Sequence, residues 1–213
     1  MDIASIREDY LMASLHESDV DKNPVIQFQQ WFEQALQANV HEINAMILGT
    51  IDENNKPHSR VVLLKGIEEN SFIFFTNYHS HKAKNIDSNP NISLLFFWHE
   101  LQRQVRIEGV ATKISEQESE IYFASRPRES QIGAWASHQS EKLDNRETLE
   151  QRMKELEKQY ENKIVLKPSH WGGFAVNPSC IEFWQGRANR LHDRILYNKI
   201  NESGLWNICR LNP

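Results

Sequence analysis

NISLLFFWHELQRQVRIEGVATKI, residues 91–114, holds two β-rich runs, 91–98 and 102–114, with a short polar break between them. Both are dense in the branched and aromatic side chains that suit a pleated, half-buried surface. Gly109 interrupts the alternation of the second run, as a β-bulge does. The same pattern recurs on either side. AMILGTI (45–51), SRVVLLK (59–65) and SFIFFTN (71–77) precede it, and WGGFAV (171–176), CIEFWQG (180–186), DRILYNKI (193–200) and LWNICRL (205–211) follow. Asn, Asp, Gly and Pro bound these runs, and NESG between the last two reads as a hairpin turn. Eight or nine strands with hairpin links predict a mainly β fold, an antiparallel barrel with peripheral helices.

The helices fall between and before the strands. Asn23-Pro24 opens one that runs through residue 39, with Val25, Phe28, Phe32, Ala35 and Leu36 on a buried stripe. SHKAKNIDSNP reads as a short helix capped by Ser80. Ser115 and Glu118 form a capping box ahead of EIYFASR. Residues 144–162 make a polar helix with one packed edge of Leu149, Met153, Leu156 and Tyr160. Residues 1–22 are polar and unpatterned and read as a flexible N-terminal arm, leaving 23–213 as a single domain.

Composition excludes several classes of function. The 213 residues carry a net charge of -5, so a general affinity for nucleic acid is not expected. Cys180 and Cys209 form no CxxC pair. His79-x-His81 lacks a convincing third ligand, so no metal is expected. No apolar run approaches the ~18 residues of a membrane span. The start, MDIASIREDYLM, does not read as a signal peptide, and a cytoplasmic setting is the expectation. Neither a Gly-rich dinucleotide fingerprint nor a P-loop is present.

The chemistry-bearing residues gather as cations beside aromatics. In FWQGRANRLHDR (183–194), an extended run from Arg190 to Arg194 places Arg190, His192 and Arg194 on one face, next to Trp184. Such a face suits a planar anionic ligand, and the competing reading is a solvated edge strand. Arg60 and Lys65 end one strand on opposite faces, roughly 16 Å apart, so they do not easily hold the same phosphate, and if both bind anions there are two; the competing reading is two ordinary strand-end cations. Lys82 stands where a helix begins after a strand, a favourable place for an anion. Tyr122, Arg126 and Ser130 are spaced by four and four, with Pro127 set to bend or restart their helix. No nucleophile–base pair stands out. The pattern fits a phosphorylated cofactor beside a phosphorylated substrate.

RVVLLK, FFTNYHSHKA, NISLLFFW, RQVRIEG, SRPRESQIGAW, SHQS, WGGF, IEFWQG and RLHDR, in that order, resemble the pyridoxamine 5'-phosphate oxidase family from about residue 40 onward. The resemblance implies an FMN-binding split barrel working as a homodimer with FMN at the subunit interface. It implies oxidation of pyridoxamine or pyridoxine 5'-phosphate to pyridoxal 5'-phosphate, with dioxygen as acceptor and hydrogen peroxide as product. By the same resemblance, Arg60, Val61, Val62, Leu63, Leu64 and Lys65 bind FMN, as do Phe75, Thr76, His81, Lys82, Gln104, Gln139, Ser140, Trp184 and Arg194. Lys65, Tyr122, Arg126 and Ser130 would hold the substrate phosphate. Arg190 and His192 would act on the substrate ring near the reacting carbon, and Arg7 and Tyr10 of the arm would close over it. One position departs from the family pattern, because His81 stands where arginine is usual, and an imidazole cannot make a bidentate guanidinium contact. A flavin-binding module without oxidase activity and a different split-barrel redox enzyme are the alternatives.

Overall fold

The computed structural model describes residue 3, residues 10–201 and residues 204–213. Among these, nine strands form one antiparallel sheet. They are β1 (Ala45–Ile51), β2 (Pro57–Leu63), β3 (Gly66–Glu68), β4 (Ser71–Asn77), β5 (Asn91–Trp98), β6 (Arg103–Lys113), β7 (Trp171–Gln185), β8 (Asp193–Ile200) and β9 (Leu205–Arg210). The order is β2-β1-β5-β6-β7-β4-β3, and β8 and β9 extend from β7. Among the same residues the five α-helices are α1 (Pro24–Gln37), α2 (His81–Ser88), α3 (Glu116–Ser125), α4 (Arg128–Ala136) and α5 (Arg146–Gln159). Among the described residues no helix is long and apolar enough to cross a membrane.

The sheet curls because the residues after β2 bond across its two ends. Leu64 N–H donates to Asn44 O (2.8 Å), next to β1, while Lys65 N–H donates to Ile73 O (2.8 Å) on β4. Those bonds end β2 at Leu63, short of the expected residue 65, and they set Lys65 on the seam. The tiny strand β3, which the sequence pattern does not announce, follows directly.

The two C-terminal runs expected at 171–176 and 180–186 are one strand, β7. Its first half pairs with β4 and its second half with β8, while β6 runs along both. Asn177-Pro178-Ser179 does not break it. The register with β6 jumps from Glu108↔Cys180 to Gly109↔Pro178, so Ser179 is the extra residue of a bulge. A proline, which donates no hydrogen bond, is tolerated there. Gly109 is the residue opposite, and a Cβ on it would run into the Asn177 carbonyl.

Alternation along the strands separates two faces. Leu48, Phe96, Val105, Ile107, Ile181, Phe183 and Tyr197 are buried inward. Phe28 of α1 is fully buried at their centre, with its ring 4.9 Å from Phe96 and 5.0 Å from Phe72. The helical stripe differs from expectation at two places: Leu36 is 62% exposed, and Trp31 is buried against Phe183. Leu36 lies about 100° round the helix from Ala35, off the packed face. The capping box of α3 is present. Ser80 is the cap residue of α2, but its hydroxyl makes no cap bond.

A second, smaller core lies under α3, α4 and α5, where Phe123, Ile132, Val165 and Trp171 are buried and Met153, Leu156 and Tyr160 pack onto them. It accounts for the apolar edge of α5. Residues 10–22 carry no helix or strand, yet they are tied to the sheet. Leu15 is buried, Leu15 N–H donates to Asp193 (3.0 Å), Tyr197 Oη donates to Asp21 O (2.8 Å), and Arg210 pairs with Glu17 (2.7 Å). Phe28→Ala is expected to lower the unfolding free energy by about 3–5 kcal/mol, read from the denaturant midpoint at unchanged slope. A loss below ~1 kcal/mol would show that Phe28 is not the centre of the core.

Candidate active site

A cavity of about 480 Å³ opens between the seam of the sheet and the α3–α4 pair. Val61, Val62 and Leu63 of β2 line it, with Lys65 from the seam and Phe75 and Thr76 from the end of β4. Lys82 enters from the first turn of α2, and Gln139 from the turn after α4. Pro127 separates α3 from α4, and Arg126 before it is extended (φ -72, ψ 149), as a residue preceding proline prefers. Tyr122, Arg126 and Ser130 therefore come from the last turn of α3, the joint and the first turn of α4. All three line the cavity.

The cations here lack counter-charges. Among the described residues, Arg60, Lys65, Lys82 and Arg126 have no carboxylate partner. Arg60 Nη1 donates to Leu48 O (3.0 Å) and Thr50 Oγ1 (2.8 Å). Lys82 Nζ donates only to neutral oxygens, on Thr76 (3.1 Å), Ser80 (3.4 Å) and Gln139 (3.4 Å). Burial, reinforced by Arg60, depresses the Lys82 ammonium to about 8. Burial likewise lowers Arg126, whose Nη1 is buried with no hydrogen-bond partner. Unpaired buried donors and a desolvated ammonium are what a phosphate-bearing group would satisfy. The residues present thus fit a phosphorylated ligand. An aromatic wall stands beside them, with Phe75 and Tyr122 stacked at 3.9 Å and Phe75 and Trp171 at 5.3 Å.

The remaining site candidates lie elsewhere in the chain. Trp184 packs against His192 (ring centroids 4.5 Å) and Tyr10 (5.9 Å), and Tyr10 covers Gly186. The expected extended run from Arg190 to Arg194 is not found. Ala188–Arg190 is a 3-10 turn in which Asn189 (φ 56) and Arg190 (φ 62) are left-handed, and β8 begins only at Asp193. Arg190, His192 and Arg194 therefore share no strand face. Arg190 projects exposed from the turn. His192 Nδ1 accepts from Arg187 N–H (3.1 Å), which leaves Nε2 to carry the proton. Burial, with the Arg190 charge, lowers its pKa and keeps the ring neutral. Arg194 is held by buried Glu182 (2.9 and 3.0 Å), whose hydrogen bonds raise its pKa.

Other expected residues are scattered around these two groups. Leu64 is in the core, Ser140 is exposed in a left-handed turn (φ 72), and Gln104 pairs with Trp184 across β6 and β7. His81 opens α2 with its ring 4.6 Å from that of His58, which pairs with Asp52 (3.1 Å). Arg7 lies outside the described residues. Trp171, Asn77 and Ser137 line the cavity without having been expected there. The WGGF run was legible as a strand start, but nothing in it announces that its tryptophan faces a cavity.

Known proteins resemble this chain along nearly its whole length. Residues 32–160 match the family model described as pyridoxamine 5'-phosphate oxidase. Residues 171–213 match the pyridoxine 5'-phosphate oxidase C-terminal dimerisation region. The chain is 51% identical to the pyridoxine/pyridoxamine 5'-phosphate oxidase of Rubrobacter xylanophilus, covering 100% of this chain and 97% of that one. It is 53% identical to the enzyme of the same description from a Nostoc species, covering 99% and 98%. Among solved structures, PhzG of Burkholderia lata, in complex with tetrahydrophenazine-1-carboxylic acid, aligns with a TM-score of 0.88 at 27% identity over 95% of this chain and 99% of that one. An FMN-binding protein from Nostoc punctiforme aligns at 0.71 and 18% identity, covering 87% and 97%, which speaks to the fold alone. With two family models, relatives at 51–53% identity over nearly the whole chain and the sheet matched in this way, the chain belongs to the pyridoxamine 5'-phosphate oxidase family, a family of oxidoreductases with the split-barrel fold.

Proposed function

We propose that this protein oxidises pyridoxamine or pyridoxine 5'-phosphate to pyridoxal 5'-phosphate with FMN as its cofactor. The observation that carries the reading is the set of three cations without acidic partners that line one cavity, Lys65, Lys82 and Arg126, with Arg60 acting on Lys82 from just outside it, in a chain whose net charge is -5. Arg60 and Lys82, with Thr76, would receive the FMN phosphate. Lys65, Tyr122, Arg126 and Ser130 would receive the substrate phosphate. Bound FMN supplies a two-electron acceptor, and dioxygen carries those electrons away as hydrogen peroxide. The amine substrate, dioxygen and water give aldehyde, ammonia and peroxide; the alcohol and dioxygen give aldehyde and peroxide.

The protein's part is to orient and to exclude water. His192, neutral with a proton on Nε2, would donate a hydrogen bond to the substrate ring, and the Arg190 guanidinium would hold that ring's anionic substituent. Those groups, with Trp184 and Tyr10, do not line the cavity of their own chain. The outer face of the sheet offers a way to join them. Ile47 (40%), Val61 (64%), Leu63 (39%) and Phe97 (52%) are exposed there, and cross-strand pairing places Gln104, Trp184 and Arg194 on the same face. A homodimer burying this face would bring the Trp184–His192 group of one subunit beside the cavity of the other.

The direct test is peroxide release in air on adding pyridoxamine 5'-phosphate to the flavin-loaded protein. Stoichiometric peroxide and aldehyde support the reading; yellow protein that releases neither contradicts it. Arg190→Ala is expected to lower kcat/KM more than ~10-fold with FMN content unchanged, a loss of the order of one charge-assisted contact. Near-normal kinetics would remove Arg190 from the site. His81→Arg should tighten FMN binding, because a guanidinium can make the bidentate phosphate contact that an imidazole cannot. Equal dissociation constants for the two proteins would sink the idea. Lys82 sets a dependence on pH. Its ammonium, near 8 when the site is empty, is driven back toward the ordinary 10.5 by a bound dianion. Binding therefore takes up a proton, and FMN affinity should fall as pH rises from 8 to 9.5, by at most ~10-fold per unit. Flavin-fluorescence titrations should show this slope in the parent protein and a flatter one in Lys82→Gln. Identical slopes would deny Lys82 the phosphate.

A further inference from the structure

We infer that Trp171 is a positioning residue for substrate-phosphate recognition, acting through Arg126. This rests on the reading above that Arg126 takes that phosphate. No side-chain hydrogen bond or ion pair holds Arg126 among the described residues. Its guanidinium carbon sits instead 4.7 Å from the Trp171 ring centre and 5.5 Å from that of Phe123. Trp171 is 7% exposed and Phe123 is 1% exposed, so both rings are fixed by packing.

The choice of rings over a carboxylate has a chemical consequence. A carboxylate would neutralise the guanidinium and occupy two of its five in-plane donors. A ring attracts the same cation through its π face and takes no donor. Arg126 is thereby held while its donor edge stays free, and its buried Nη1 indeed has no partner. The backbone below it is pinned separately. Gln131 Nε2 donates to the carbonyls of Phe123 (3.1 Å), Ala124 (3.1 Å) and Arg126 (3.0 Å), which fixes the α3–α4 joint. Trp171 is in turn registered by its place in the sheet, opposite Asn77 on β4, and by its near-parallel stack on Phe75 at 9°. The strand thus dictates where a cation from the joint between two helices points.

The test is a double-mutant cycle on the flavin-loaded enzyme with Trp171→Leu, Trp171→Phe and Arg126→Met. Trp171→Leu should raise KM for pyridoxamine 5'-phosphate about tenfold with kcat within about twofold, and Trp171→Phe about threefold. On the Arg126→Met background either change should add less than about twofold, because the residue through which Trp171 acts is gone. An equal effect on both backgrounds, or an unchanged KM, would overturn the proposal. If Trp171→Leu does not fold, the Trp171→Phe arm decides by the same comparison. If the parent protein does not oxidise the substrate at all, the functional reading fails by itself. The cycle is then read as the dissociation constant of pyridoxal 5'-phosphate measured against that of pyridoxal, with the same non-additivity expected for the phosphorylated ligand alone.

Discussion

Positive charge without a protein counter-charge is the constraint that organises this molecule. Lys65, Lys82 and Arg126 line one cavity with Arg60 close behind Lys82, and burial has already taken part of the protonation free energy from Lys82. Like charges gathered in a partly desolvated space repel one another. Three of them are anchored by groups that do not neutralise them: carbonyl and hydroxyl oxygens for Arg60, hydroxyls and an amide for Lys82, ring faces for Arg126. The contrast with Arg194 is instructive. It also lies in a cationic stretch, but Glu182 engages it through two hydrogen bonds.

The fold supplies that anchoring through a few local devices. The seam between Leu64 and Lys65 brings opposite ends of the strand order together and delivers Lys65 to the cavity. The bulge at Ser179 lets one strand serve two partners, β4 before it and β8 after it. That single strand begins at Trp171 beside the cavity and ends near Trp184 and His192. Its length therefore sets the separation between the cavity and the Trp184–His192 group within one chain.

The strands were legible because alternation is a local property. Residues 91–98 and 103–113 emerge almost as the pattern draws them. Asn177-Pro178-Ser179 was misread as a break, since a bulge becomes visible only once the partner strand, with Gly109, is known. The four-residue spacing of Tyr122, Arg126 and Ser130 correctly foretold a meeting, although Pro127 makes it a meeting across two helices. The stretch from Arg190 to Arg194 went wrong because period-two reasoning assumes extended backbone, and left-handed Asn189 and Arg190 deny it. Leu15 and Trp171 were hidden for a different reason. Their burial depends on segments distant in sequence, Asp193 and Arg210 for one and Arg126 for the other.

The proposed phosphate-binding role of the cavity makes a sharp demand on ligand choice, because the same isoalloxazine ring is available with and without its phosphate. The most direct measurement compares the dissociation constants of FMN and riboflavin for the flavin-free protein near neutral pH. Two or more charge-assisted hydrogen bonds to phosphate correspond to at least about a hundredfold preference for FMN. Equal affinity for the two flavins would mean that the unpaired cations are not there for phosphate, and would contradict the account.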